Sequence, residues 1–172
     1  MKRKAIRIFD KSFRKAPKNY IIQSLLAVAA LTIILFFVEI LTHAAIVAAL
    51  GSSAFVVFAM PQSTTAQPRK LIGGHVVGLL SGTFCYYAFL SSPLGELITR
   101  WELTTLFIYA LAVGLSIFLM AITNTEHAPA AGTALGIVAH AWLYQVVIFI
   151  LLSAVGLAIA RRLLKGYLKD LV

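Results

Sequence analysis

The chain has 172 residues, of which 60% are hydrophobic and 12% are charged, and its mean hydropathy is +0.92. About a quarter of the residues in a soluble domain are charged, so this composition excludes an ordinary water-soluble globule. We expect a single membrane domain without a soluble catalytic module. The net charge is +9. Since no aromatic-interleaved domain accompanies the basic residues, we expect their partner to be a lipid bilayer and not nucleic acid.

The first nineteen residues are strongly basic, with eight of the fifteen Lys and Arg of the chain. Ile6, Phe9 and Phe13 recur at helical spacing on the face opposite these charges. This pattern predicts an amphipathic helix over 1–19 that lies on anionic lipid headgroups. An unstructured tail is the alternative interpretation.

Four apolar stretches follow, each close to the ~20 residues that a transmembrane helix requires. They lie at about 20–38, 43–60, 71–90 and 103–122. A fifth apolar stretch, 129–160, is too long for one straight span and too short for two full spans with a generous loop.

Basic residues after position 160 decide how the last stretch crosses the membrane. Arg161, Arg162, Lys165 and Lys169 join the basic N-terminus in the cytoplasm only if the chain crosses twice. We therefore predict a short helix at about 129–141, a reversal near Trp142 and a last helix at about 143–160.

The predicted fold is an all-α, polytopic transmembrane helical bundle of about six membrane segments, with cytoplasmic N- and C-termini. Its parts are a basic amphipathic segment (1–19), a transmembrane domain (20–160) and a basic cytoplasmic tail (161–172). We expect it in a bacterial inner membrane.

Two polar breaks interrupt the apolar sequence, and each ends at a proline that precedes a glycine-bearing stretch. The first break is Pro61–Lys70 and the second is Thr123–Pro129. Because proline is well tolerated at the first helical position, Pro68 and Pro129 are predicted helix starts. The similarity of the breaks suggests a weak internal repeat, for which chance is the alternative.

These helix starts suggest an anion site. Free N–H groups and the positive end of the helix dipole attract anions, and discontinuous helices surround the central site of many transporters. The candidate hydrogen-bond donors are Ser63, Thr64, Thr65, Thr123, Asn124 and Thr125. Arg69 and Lys70 are candidates for recruiting the anion. Gly73, Gly74 and Gly132 would allow the backbone to approach the anion closely.

The same residues have an ordinary structural interpretation. Serine, threonine, asparagine and proline between apolar runs are typical of any loop, and two adjacent cations serve membrane topology. The spacing of Gly74, Gly78 and Gly82 is typical of a close helix crossing.

Three histidines, His75, His127 and His140, fall at or near predicted membrane depth, where an ionisable residue suggests function. A proton relay through His75 or His127 would let an anion cross as a neutral pair. We expect a structural role for His140, bonded to a carbonyl of a neighbouring helix. Ligand spacings typical of metal sites are missing from the sequence, so we expect no metal and no cofactor. Cys85 and the serines lack a base and acid at motif spacing, so we expect no enzyme.

At these residues the sequence resembles the HPP family of small integral membrane proteins, named for a His-Pro-Pro motif. The resemblance covers about 27–160, and the most specific part is the Ala-Gln-Pro-Arg…Gly-Gly-His string. The matching segments are Gly51–Ala54, Pro61–Ser63, Ala66–Arg69, Ile72–His75, His127–Pro129 and Gly132–Leu135. Ala128 departs from the family, in which a proline is expected, so the helix start survives but the break loses rigidity.

The family is associated with nitrite transport in chloroplasts and photosynthetic bacteria, so the resemblance implies a small-anion permease. Its matched segments add Gln67 and Thr133 to the candidate substrate-binding residues. We keep two alternatives: a non-transporting membrane scaffold or sensor subunit, and a membrane enzyme that acts on lipid or quinone. We also expect a homo-oligomer, because small membrane proteins often need partner subunits to enclose a pathway.

Overall fold

A computed structural model of the chain describes residues 17–19, 21–23, 25–26, 44–93, 95–140 and 144–171, and all regular structure in these ranges is helical. The described residues 17–19, 21–23 and 25–26 are helical. From residue 44 onward the α-helices are α1 (Ala44–Ala59), α2 (Pro68–Cys85), α3 (Gly95–Thr99), α4 (Glu102–Thr123), α5 (Pro129–His140) and α6 (Tyr144–Leu164). A 3-10 turn at Thr64–Ala66 precedes α2, and a π-helical turn at Tyr86–Leu90 extends it.

The predicted all-α membrane fold is confirmed. Among the described residues, three helices are long and apolar enough to cross a bilayer: α2 with its π-helical extension, α4 and α6. Both predicted helix starts are also confirmed, because α2 begins at Pro68 and α5 begins at Pro129. Most of the predicted amphipathic segment (1–19) and of the first span, and the reversal near Trp142, lie outside the described residues.

The surface of these helices is apolar, as contact with lipid requires. On α4, the side chains of Leu103, Phe107 and Phe118 are each more than half exposed. The opposite face of α4 packs inward through small and medium side chains such as Ala112 and Ser116, which are fully buried. Since lipid tails solvate apolar side chains, an exposed apolar face is stable in a bilayer.

The polar breaks and several helix ends lie at one end of the bundle. The imidazole of His127, just before α5, lies 3.1 Å from the carbonyl oxygen of Thr65, just before α2. At the end of α6, the guanidinium of Arg161 donates hydrogen bonds to the carbonyl oxygen of Pro61. Helix α5 therefore leaves this end and α6 returns to it, so the stretch after Pro129 forms two helices of opposite direction, as predicted.

We name this end of the bundle the basic end, because it carries Arg69, Lys70, Arg161, Arg162 and Lys165. All of these residues lie at or near the ends of α2 and α6, where the two polar breaks and the C-terminal tail also lie.

The C-terminal tail is folded onto the basic end. Helix α6 continues to Leu164, four residues past the predicted boundary, and the chain then turns back. The N–H of Leu171 donates to the carbonyl oxygen of Ala59 at 2.8 Å. The buried amide of Gln23 bonds both backbone groups of Lys169, at 2.7 and 3.0 Å. The tail thus contacts both the end of α1 and the segment that contains Gln23.

Helices α2 and α5 cross in close contact along a row of glycines. A Cβ added at Gly82 would lie 2.6 Å from the carbonyl oxygen of Ala134, and one at Gly78 would collide with the carbonyl oxygen of Ala130. Backbone therefore packs directly on backbone, and only glycine fits. The structural interpretation of this glycine row is confirmed, and the crossing brings the second break against α2.

Candidate functional site

The two polar breaks lie next to each other at the basic end. The ammonium of Lys70 lies 2.6 Å from Glu126 Oε2, which links the start of α2 to the second break. A longer contact of 3.5 Å joins the Arg69 guanidinium to the carbonyl oxygen of Thr123 at the end of α4. The sequence predicted that the two helix starts lie at one level of the bundle, and the structure brings them together.

The sequence predicted free amide groups at these helix starts, but most of these amides already have hydrogen-bond partners in the protein. The N–H groups of Lys70 and Leu71 both bond to the carbonyl oxygen of Gln67 at 2.9 Å. After Pro129, the N–H of Ala130 bonds to His127 and that of Ala131 to Ala128. The first turns are tight and satisfy their own donors.

The three glycines predicted to admit a ligand are covered by protein atoms. A Cβ at Gly73 would lie 2.7 Å from Thr125 Cγ2, and one at Gly74 would lie 2.7 Å from His127 Cβ. A Cβ at Gly132 would lie 3.2 Å from the Cβ of Ala49. Because these glycines lack a side chain, the second break and α5 can pack closely against their neighbours. This corrects the prediction that the glycines allow the backbone to approach a ligand.

Polar donors at the rim of the breaks mostly bond within their own loops. Ser63 Oγ lies 3.2 Å from Thr65 Oγ1, and Thr123 Oγ1 lies 2.8 Å from Thr125 Oγ1. Asn124 has a left-handed backbone (φ 53°) and ends α4 as its C-terminal cap, a conformation that asparagine tolerates. The rim residues Thr64, Gln67 and Asn124 are exposed.

Beneath this rim, two histidines from different segments meet inside the bundle. His75 on α2 and His127 before α5 are both fully buried, with ring centroids 5.4 Å apart. The hydroxyl of Ser53, on α1, lies between them, 3.0 Å from His75 Nε2 and 2.9 Å from His127 Nε2. His75 Nδ1 lies 2.8 Å from the hydroxyl of Thr133 on α5. We name Ser53, His75, His127 and Thr133 the buried relay.

Small residues explain how three helices bring these side chains together. Gly74 admits the Cβ of His127, and Gly132 admits α1 at Ala49. Ala49 also supplies a carbonyl oxygen 2.9 Å from the Ser53 hydroxyl. Helix α5 can therefore lie between α1 and α2, and the imidazoles bond to neighbouring segments with every ring nitrogen engaged.

The sequence did not single out Ser53 as a site residue. A signal was present, because Ser52 and Ser53 are the only polar side chains of α1. The two serines occupy different faces: Ser52 is exposed and bonds to the carbonyl oxygen of Ala48, whereas Ser53 is buried. Which serine faces the histidines depends on how α1 is rotated against α2 and α5.

The carboxyl of Glu126, at the surface of the second break, has a shifted pKa. The hydrogen bond from Lys70 lowers the pKa of this carboxyl, and the charges of Lys70 and Arg69 lower it further. At neutral pH the second break therefore carries an ionised carboxylate at its surface.

His140 bonds within its own helix, and the predicted bond to a carbonyl of a neighbouring helix stays a prediction. Its Nδ1 lies 3.2 Å from the carbonyl oxygen of Gly136, one turn earlier in α5, and the residue is exposed. Helix α5 ends here, so the side chain folds back on its own last turn. Among the residues that the structure describes, no three His, Cys, Asp or Glu side chains form a metal-binding group.

Comparison with known proteins agrees with the fold. The family described as "HPP, transmembrane region" matches residues 13–167. A transmembrane protein of Dictyostelium discoideum is 36% identical over 90 residues, which cover 52% of this chain and 28% of that relative. No solved structure matches the chain. The match to the family covers most of the sequence, so the chain is an integral membrane protein and belongs to the HPP transmembrane family.

Proposed function

We propose that the protein carries a small monovalent anion, such as nitrite, across the membrane together with a proton. The observation that carries this proposal is the buried relay. Ionisable side chains inside a membrane are costly and usually functional, yet His75 and His127 are fully buried and share one hydroxyl. Histidine takes up and releases protons near neutral pH, so the pair suits proton movement better than static packing.

The basic end supplies the complementary charge for an anion. Arg69 is exposed at the start of α2, and its guanidinium makes only the long contact to a backbone carbonyl described above. Lys70 is paired with Glu126 and is largely neutralised. We therefore assign recruitment of the anion to Arg69 and the helix dipoles, with the exposed rim residues Thr64, Gln67 and Asn124 as first polar contacts.

The proposal includes an orientation. Lys and Arg are enriched on the cytoplasmic side of membrane proteins, so the basic end faces the cytoplasm and both termini lie there. A bacterial inner membrane with anionic headgroups suits this charge distribution. The apolar exposed faces of α4 and α6 contact lipid or a second copy of the chain, and a homo-oligomer would help to enclose a path at the breaks.

Nitrite uptake into proteoliposomes that contain a pH-sensitive dye tests this function. We expect nitrite entry with accompanying proton movement in the wild type, and a loss of both in His127→Gln. Arg69→Gln should raise the nitrite concentration needed for half-maximal uptake, because it removes the recruiting charge. Arg162→Gln is the matched control, since it removes an exposed cation at the same end of the bundle. Wild-type vesicles without nitrite flux would refute the proposal.

A second candidate function is a non-transporting membrane scaffold or sensor subunit. One observation favours it: the glycine faces and most first-turn amides at the breaks are occupied by protein atoms. A scaffold would keep its partner contacts in His127→Gln and Arg69→Gln variants. Water accessibility of the buried relay separates the two candidates, because a transporter must hydrate this region during its cycle.

A further inference from the structure

We infer that Ser53 transfers protons between His75 and His127, and that its single hydroxyl proton fixes the direction of hydrogen bonding through both rings. The use of this transfer in transport rests on the proposed function. The hydrogen-bond direction rests only on the geometry of the buried relay, so the two can be tested separately.

The direction is set at one end of the relay by a backbone carbonyl. His127 Nδ1 lies 3.1 Å from the carbonyl oxygen of Thr65, which can only accept. His127 Nδ1 therefore carries a hydrogen. In a neutral imidazole the other nitrogen then has a lone pair, and this nitrogen, Nε2, faces the Ser53 hydroxyl at 2.9 Å. Ser53 Oγ lies equally close, at 2.9 Å, to the carbonyl oxygen of Ala49, but only donation to His127 gives this lone pair a partner. Ser53 therefore donates its proton to His127.

The remaining bonds follow, because a hydroxyl has only one proton. If Ser53 donates to His127, it accepts from His75, whose Nε2 lies 3.0 Å away and must carry a hydrogen. His75 Nδ1 is then an acceptor, and the Thr133 hydroxyl donates to it at 2.8 Å. The neutral relay thus runs in one direction, from Thr133 through His75, Ser53 and His127 to Thr65. The two histidines have opposite tautomers.

This arrangement permits a balanced proton transfer. When His75 holds an extra proton, its Nε2–H bond breaks as the proton moves to Ser53 Oγ. At the same time the Ser53 O–H proton moves to His127 Nε2. The N–H bond lost at His75 is replaced by one formed at His127, one O–H bond of Ser53 breaks as another forms, and the positive charge has moved from His75 to His127.

The Ser53 hydroxyl has a different acceptor before and after the transfer. After the transfer His127 Nε2–H donates to Ser53 Oγ, and His75 Nε2, which has lost its proton, accepts from the Ser53 hydroxyl. The serine proton thus turns from His127 to His75, while His75 Nδ1 keeps the extra proton and donates a hydrogen bond to the Thr133 hydroxyl. Every polar group keeps a partner in both states, as a buried site requires. The Ser53 hydroxyl therefore has two orientations, and the charge of His127 decides which one it adopts.

Nitrogen-15 NMR of the histidine-labelled full chain in liposomes tests the bonding pattern at neutral pH. The chain has four histidines, so single substitutions assign the signals. We expect the signal that vanishes in His75→Gln to be a neutral Nε2–H tautomer, and the signal that vanishes in His127→Gln to be a neutral Nδ1–H tautomer. The same tautomer at both histidines would overturn the inference. The opposite tautomers would support it even if the vesicles carried no nitrite.

Substitutions at the two neighbouring serines test the transfer itself. Ser53→Ala removes the bridge, and we expect proton-coupled nitrite flux to fall roughly 100-fold, the scale of a lost proton-transfer group. Ser53→Thr keeps a hydroxyl and should restore most of the flux. Ser52→Ala is the matched control, because Ser52 is exposed and bonds only within α1.

The NMR spectra of these variants exclude a merely structural effect. In Ser53→Ala the nitrogen signal of His127 Nε2 should move, whereas Ser52→Ala should leave both histidine spectra unchanged. A folded Ser53→Ala protein with unchanged proton-coupled flux would overturn the assignment of Ser53. Wild-type protein with the expected tautomers but no flux would contradict the proposed function and leave the bonding pattern intact.

Discussion

The hydroxyl of Thr133 is fully buried and lies 2.8 Å from His75 Nδ1. Thr133→Val preserves the shape of the side chain but leaves the imidazole nitrogen without its partner. We expect a loss of about 1–3 kcal/mol in the free energy of unfolding, the usual cost of an unsatisfied buried polar group. Reversible unfolding in mixed micelles measures this loss. Thr64→Val, at an exposed position, should change stability by less than about 0.5 kcal/mol, and equal effects of the two variants would contradict the prediction.

The Lys70–Glu126 ion pair gives the protein an acid-sensitive contact. Because Lys70 lowers the pKa of the Glu126 carboxyl, the folded state binds this proton less readily than the unfolded state. The stabilisation is therefore complete above the carboxyl's ordinary pKa, 4.5, and is lost as the pH falls through the lower value of the folded state. Melting temperatures measured from pH 7 to pH 3 should fall less steeply in Glu126→Gln than in the wild type. Parallel curves would refute this contribution.

At the scale of elements, the crossing of α2 and α5 depends on glycine. A Cβ at Gly78 meets the backbone carbonyl of Ala130, which cannot move without displacing α5. We expect Gly78→Ala to destabilise the protein by about 1–3 kcal/mol and to reduce proton-coupled flux, since α5 carries Thr133 and follows His127.

Gly114 provides the matched control for this substitution. It lies in the interior of α4, with no atom near the position of an added Cβ. Alanine there should leave stability unchanged or raise it by up to about 1 kcal/mol, because alanine is the better helix former. The explanation by backbone packing fails if Gly78→Ala behaves like Gly114→Ala in the same unfolding assay.

At the scale of the whole molecule, the two ends of the bundle differ in charge, which predicts their placement across the membrane. Gln62 is exposed at the basic end and Glu96 is exposed beyond the opposite end of α2. The chain has one cysteine, the buried Cys85. In a Cys85→Ala background an introduced cysteine is therefore the only thiol of the protein that can react with a label. An impermeant maleimide applied to intact cells should label Glu96→Cys, and should label Gln62→Cys only after permeabilisation. The reverse pattern would show that the basic end faces outward.

The sequence by itself determined the membrane class, the helices and the two proline starts. Apolar length and charge placement are local properties that act on each segment separately. The bilayer forces every apolar segment to satisfy its own backbone hydrogen bonds, so a stretch of suitable length must become a helix wherever its neighbours lie. For this reason the bounds of α1, α2, α4, α5 and α6 differ from the predicted ones by only a few residues.

Only the tertiary structure decided which residues of different segments contact each other. The glycines that were predicted to admit a ligand are covered by protein atoms, because the second break and α5 pack closely against α2. The amides that were predicted to be free are hydrogen-bonded. Ser53 joined the site because the rotation of α1 turns it, and not Ser52, toward the histidines. Contacts between segments distant in sequence arise from complementary shape, and no single segment encodes that shape.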